Sequence, residues 1–160
     1  MNGSIVCGVD GSPDSQRALG IAVEYAQRLG ARLIVANVAA VPDPVVPAYA
    51  YAPMGQPSTL RLSLEGRTEA DFEASEALLE RIVAEAGVEG AELRTMLGIP
   101  AEQLAELADD VRAHLIVVGS RGRGAFKAAF LGSVSNSLIG IARCPVLVVP
   151  RGVVETAAAA

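Results

Sequence analysis

Short, unbroken apolar runs recur along this chain, each parted from the next by a segment with helical spacing. Leu115-Ile116-Val117-Val118 is the clearest of them. It has no polar alternation, as a strand covered on both faces requires. Ile5 to Val9 and Val146 to Val149 read the same way, and Arg32 to Val38 is a further strand. Glu92 to Leu97 alternates in character, which places it near a sheet edge. Five strands that alternate with helices need crossover connections, so the sheet is parallel and lies between helical layers: an α/β fold.

The helices are marked by their punctuation. Asp10-Gly11-Ser12-Pro13 turns into the first, with Ser12 as N-cap and Pro13 at N1. Its apolar stripe is Ala18, Ala22, Ala26 and Leu29, and Gly30 stops it. The spacing predicts a second helix from about Arg67 to Ala86, with Ala74, Leu78, Ile82 and Ala86 on one face and Gly87 as its end. Gly98-Ile99-Pro100 opens a third that carries Leu104, Leu107, Ala108 and Val111. There Pro100 must set the start, because Ile99 is a poor cap. Gly132-Ser133 opens the last, lined by Val134, Leu138, Ile141 and Ala142. Residues 41–60 break the alternation with five prolines and two tyrosines, and are expected to form a long loop. Residues 1–152 then make one domain carrying the 41–60 insertion, and 153–160 a flexible tail.

Composition narrows the function. No apolar run approaches the ~20 residues of a membrane span, and no basic stretch with an apolar core marks a secretory signal at the start. Cys7 and Cys144 are the only cysteines, too few for a disulfide framework and expected to be reduced thiols of a cytoplasmic protein. A net charge of −5 argues against nucleic acid as a partner, though local backbone N–H groups can still hold a small anion.

The chemistry is concentrated after the fourth strand. Gly119-Ser120-Arg121-Gly122 leaves that strand, and Gly132-Ser133-Val134-Ser135 follows nine residues after Gly122, at a helix start. Glycines allow close approach of backbone to a ligand, and a helix start presents N–H groups and a positive dipole end to phosphate. Together they point to a nucleotide. No Gly-x4-Gly-Lys-Ser/Thr loop, and no Gly-x-Gly-x-x-Gly after the first strand, signals a Walker ATPase or a dinucleotide enzyme. The single histidine, His114, stands before strand four at the far end of the sheet and reads as structural.

Val9-Asp10-Gly11-Ser12, Gly98-Ile99-Pro100, Gly119-x2-Gly122-x9-Gly132-Ser133 and the closing Cys144-Pro145-Val146-Leu147-Val148-Val149-Pro150 resemble the universal stress protein family. The glycine spacing is similar to that of its ATP-binding branch. The resemblance implies a single-domain, Rossmann-like sandwich whose five-stranded parallel sheet has the order 3-2-1-4-5, with four helices on two faces. It also implies ATP with magnesium held through the phosphates, a role in stress response with at most slow hydrolysis, and a homodimer formed through the C-terminal strand. Another adenine nucleotide such as cyclic AMP, or a slow ATPase, stays open beside it.

On that reading Asp10 accepts from the ribose, or else only shapes an Asx turn. Val9 and Val38 pack near the base, Val38 also offering backbone groups, or else are ordinary core, and Val118 is counted with them among the cofactor-binding residues. Gly119 and Gly122 pass beneath sugar and phosphates, and Gly132, which opens the last helix, is counted among the cofactor-binding residues. For Gly119 and Gly122 the alternative is a tight turn that needs positive φ. Ser133, Val134 and Ser135 give N–H groups and hydroxyls to the phosphates, Ser133 doubling as N-cap. Arg121, Arg123 and Lys127 are the candidate cations, and Asn136 a further phosphate contact.

Overall fold

The computed structural model describes residues 3–40, 59–122, 131–150 and 152. Nine elements follow in chain order. They are β1 (Ser4–Gly8), α1 (Pro13–Leu29), β2 (Arg32–Ala40), α2 (Thr59–Glu85), β3 (Glu92–Gly98), α3 (Pro100–Asp110), β4 (Ala113–Gly119), α4 (Ser133–Ile141) and β5 (Val146–Val149). The strands form one sheet, β3-β2-β1-β4-β5, in which every pairing is parallel. The expected order is therefore present, with β3 and β5 at the edges.

Strand alternation sorts the core into two layers. Ile5, Cys7, Val35 and Val117 face α1 and α2, where they meet Leu19, Ala22, Leu79 and Ile82. Val6, Ile34, Ile116 and Val118 face α3 and α4, where they meet Leu104, Leu107 and Leu138. The inner strands are apolar on both faces because both are covered.

Helix α1 begins as expected: Ser12 Oγ accepts from Ser15 N at 3.2 Å and Pro13 occupies the first turn. It ends with Gly30 at φ 60°, and Ala31 N donates back to Ala26 O at 2.9 Å. Ile99 makes no side-chain cap bond, so Pro100 alone preorganises the start of α3.

Several expectations fail on packing grounds. Leu29 is 67% exposed, since it lies one turn beyond the last α1 position that the sheet covers, Ala26. Helix α2 starts at Thr59, not near Arg67, so Thr59 and Leu60 are helical; the rest of the expected loop, 41–58, lies outside the described residues, as does the 153–160 tail. Ala74 and Ala86 are exposed, and the buried stripe of α2 is Ser75, Leu79, Ile82 and Val83. The buried face is turned by one residue, so that Ser75 and Leu79 are covered where Ala74 and Leu78 were expected, and the helix ends at Glu85, before Ala86. Ile141 is 46% exposed at the end of α4, beyond the reach of α3 and the sheet.

Cys7 is fully buried and burial pushes its thiol from 9.0 up to about 12. Burial, and then the Asp109 carboxylate, also raise Cys144, against a backbone hydrogen bond that lowers it. Neither is a ready thiolate at neutral pH. Below pH 9 the folded and unfolded chains both keep the Cys7 proton. Between pH 9 and about 12 only the unfolded chain releases it, so folding loses up to about 1.4 kcal/mol per pH unit. Denaturant unfolding from pH 8 to 10.5 is expected to show a steeper loss of stability for the parent than for Cys7→Ala. Parallel curves would refute the buried, protonated thiol.

Candidate functional site

Strands β1 and β4 are neighbours, yet α1 leaves β1 for one face and α4 follows β4 on the other. The chain therefore parts at the carboxyl ends of these two strands, where ligands bind in open α/β sheets. A crevice of about 440 Å³ opens there, within the size range of small-molecule sites.

One wall is apolar. Val38 and Val118 line it with Leu104 and Pro100 of α3, and Val118 is buried. Val9 also lines the crevice, but its side chain belongs to the α1–α2 core, so what it offers is backbone. Its N–H is already given to Ala36 O at 2.9 Å.

The opposite wall is polar and built from loop backbone. Asp10 makes the Asx turn that was one of its two expected readings, and it lines the crevice. Its Oδ1 accepts from Ser12 N at 2.9 Å, which is an Asx turn, with Gly11 at φ 80°. Its Oδ2 faces Gly122 across the crevice. Gly119, Arg121, Gly122 and Gly132 all line the same space.

The glycines hold their places for reasons the chain itself supplies. Gly119 and Gly122 do not have positive φ, which removes the turn argument for them. A Cβ on Gly119 would sit 2.7 Å from Asp14 C and 2.9 Å from Ser15 N, inside the first turn of α1. A Cβ on Gly122 would sit 2.6 Å from Asp10 Oδ2. Gly132 is closer to tolerant, with Ser120 O at 3.3 Å.

Helix α4 points its start at the crevice. Gly132, not Ser133, is its N-cap, with ψ 166° and no side-chain cap bond. Ser133 occupies the first helical position because Gly132 N is drawn to Ser120 O at 2.7 Å. Helix geometry provides no internal acceptor for the N–H groups of Ser133, Val134 and Ser135, and all three residues line the crevice. The Ser135 hydroxyl, expected to face phosphate, instead donates to Ser120 O at 3.2 Å and Gly132 O at 3.0 Å. Asn136 is exposed and outside the lining, while Arg123 and Lys127 lie outside the described residues. His114 sits at the opposite end of β4, exposed.

Sequence reasoning missed polar residues in the wall, Asn37 and Ser120, and the contacts that Ser12 and Asp14 make behind it. Asn37 is 6% exposed in the middle of an apolar strand; its Nδ2 donates to Val9 O at 2.5 Å and its Oδ1 accepts from Ser75 Oγ. An amide inside such a strand was the available signal, because buried polar groups demand partners. Ser12 Oγ donates to Arg121 O at 3.3 Å, and Ser120 Oγ to Asp14 Oδ2 at 3.1 Å. Nothing in spacing announces those two contacts. Among the described residues no group of three His, Cys, Asp or Glu side chains could hold a metal, and no helix is long and apolar enough to cross a membrane.

The glycine contacts separate two variants. Gly119→Ala meets backbone that cannot step aside and is expected to lower stability by about 1–3 kcal/mol in denaturant unfolding. Gly122→Ala meets only a carboxylate oxygen and should unfold within about 1 kcal/mol of the parent. Equal losses would mean that α1 does not press on the end of β4.

The profile of the Universal stress protein family matches residues 1–150. A universal stress protein of Thermus aquaticus is 35% identical over 91% of this chain and 97% of its own length. Mycobacterial universal stress proteins are 31% identical, and the chain spans 44% of their length. Among solved structures, universal stress protein UspA from Lactobacillus plantarum matches with a TM-score of 0.70 and 25% identity, over 92% of this chain and 97% of that one. A universal stress protein in complex with cAMP matches with a TM-score of 0.56 and 27% identity, over 92% and 96%.

Proposed function

This chain belongs to the universal stress protein family, and from that membership and the crevice between β1 and β4 we propose that it is an adenine-nucleotide-binding module whose ligand is ATP. The observation that carries the proposal is one cavity with an apolar wall at one end and the start of α4 at the other. A base needs the first and a phosphate chain the second.

The residues divide the work accordingly. Val38 and Val118 pack on adenine, and the backbone of Val9 and Val38 borders its edge. Asp10 accepts from ribose hydroxyls with the oxygen that faces Gly122. Gly119, Gly122 and Gly132 border the sugar and phosphates with backbone, and Gly122 leaves the space beside Asp10 Oδ2 free of a side chain. The N–H groups of Ser133, Val134 and Ser135 bind phosphate oxygens, and the Arg121 guanidinium offsets their charge. Magnesium, held by the phosphates and water, supplies the remaining neutralisation.

Hydrolysis is slow at most. Asp10 is the only carboxylate among the described lining residues, and its other oxygen is committed to the Ser12 N–H. Residues 1–152 act as one cytoplasmic nucleotide-dependent stress-response domain carrying the 41–60 insertion. Two copies pair through β5, an edge strand whose Val146, Leu147 and Val148 are only half-buried. The relative bound to cAMP favours a second reading, in which a cyclic adenine nucleotide takes the same seat.

Calorimetric titration with Mg-ATP is expected to give one site per chain, with cyclic AMP competing weakly. Gly122→Val, whose branched side chain drives Asp10 off the ribose position, should weaken ATP by more than about tenfold while the chain stays folded. Parent-like affinity in that variant would move the ligand elsewhere, and stronger binding of cyclic AMP than of ATP would favour the second reading.

A further inference from the structure

Ser120 lies between the two motif glycines, is 4% exposed, and spends every polar group on a different part of the fold. Its N–H donates to Val149 O at 2.8 Å, at the end of β5. Its carbonyl accepts from Gly132 N at 2.7 Å and from Ser135 Oγ at 3.2 Å, at the start of α4. Its hydroxyl donates to Asp14 Oδ2 at 3.1 Å, in the first turn of α1. Asp14 is 1% exposed, and its Oδ1 meets Arg17 Nη1 at 3.1 Å.

The Gly119–Gly122 turn and the start of α4 are separated by nine residues of chain, so sequence proximity does not set the gap between them. The Ser120 carbonyl sets it, because Gly132 N and Ser135 Oγ converge on that one oxygen. The direction of the carbonyl follows from the peptide that carries it. That peptide is held by the hydroxyl's bond to a buried carboxylate, a charge-assisted bond of the stronger kind.

Resting on the adenine-nucleotide reading, we infer that Ser120, held by Asp14, is the positioning residue of the phosphate seat. It lines the crevice, but its hydroxyl, N–H and carbonyl are all engaged within the fold. It aligns the N–H groups of α4 with the glycine turn so that both reach one anion. Asp14 itself is kept from repelling that anion by Arg17 and by the N-terminus of α1. The base end of the crevice, formed by Val38, Val118 and Leu104, does not depend on this bond. Its loss therefore acts on the phosphates and spares the nucleoside.

The test uses the full chain and titrates ATP and adenosine into the parent, Ser120→Ala, Asp14→Ala and the double variant. Ser120→Cys, of similar size and weaker as a donor, stands in if Ser120→Ala does not fold. Each single variant is expected to lose about tenfold in ATP affinity, with adenosine within about twofold and no further loss in the double variant. Amide exchange of the ligand-free chain should show Gly132 exchanging faster in Ser120→Ala. Unchanged ATP affinity, or equal losses for ATP and adenosine, would overturn the inference. If the parent binds neither ligand, the nucleotide reading falls and the exchange experiment decides alone. Faster exchange at Gly132 then supports the positioning bond, and unchanged protection overturns it.

Discussion

The contact on which this molecule turns is the approach of α1 to the end of β4. Gly119 has no side chain, and the first turn of α1 occupies the place a Cβ would take, with Asp14 C 2.7 Å from it. That approach brings Ser12 to the Arg121 carbonyl and Asp14 to the Ser120 hydroxyl. A larger residue at 119 would push the helix out and part both pairs. The loop would then lose the anchors that hold it against β5 and α4. The close fit of helix to strand and the shape of the candidate site are thus one constraint.

Sheet topology decides why the site is where it is. Parallel strands put all their carboxyl ends on one side, and the change of helical face between β1 and β4 leaves a gap there. Into that gap the fold delivers two kinds of surface. The α3 side provides Leu104 and Pro100 beside strand valines, and the loop side provides main-chain groups and Asp10. A strongly anionic chain can nonetheless present a cationic seat, since helix-start dipoles act over a few ångströms and net charge does not.

Much of this was legible in the residues. The apolar runs marked the strands, and Ser12-Pro13 and Gly30 marked the two ends of α1. The glycine spacing and the family resemblance together picked out the candidate positions; eleven of them line one crevice, Asn136 lies outside it, and Arg123 and Lys127 fall outside the described residues. The strand order came from family resemblance, since no periodicity ranks one strand beside another. Failures clustered where burial depends on a neighbour. Leu29 and Ile141 fit a helical stripe but sit past the edge of what covers them. In α2 the stripe was misplaced by one residue, at Ser75 and Leu79 in place of Ala74 and Leu78, because the sheet that selects the face is not visible in the helix's own sequence.

By itself the amino-acid order determined the kind of layers, the helix boundaries that rest on local caps, and the residue types available to the candidate site, because all of these follow from interactions between near neighbours in the chain. Only the tertiary structure decided what those residues touch. Ser120 and Asp14 are 106 positions apart, and Asn37 and Ser75 are 38 apart, so neither pair leaves a trace in spacing. Such bonds exist because folding removes water from both partners at once, and each must then find the other.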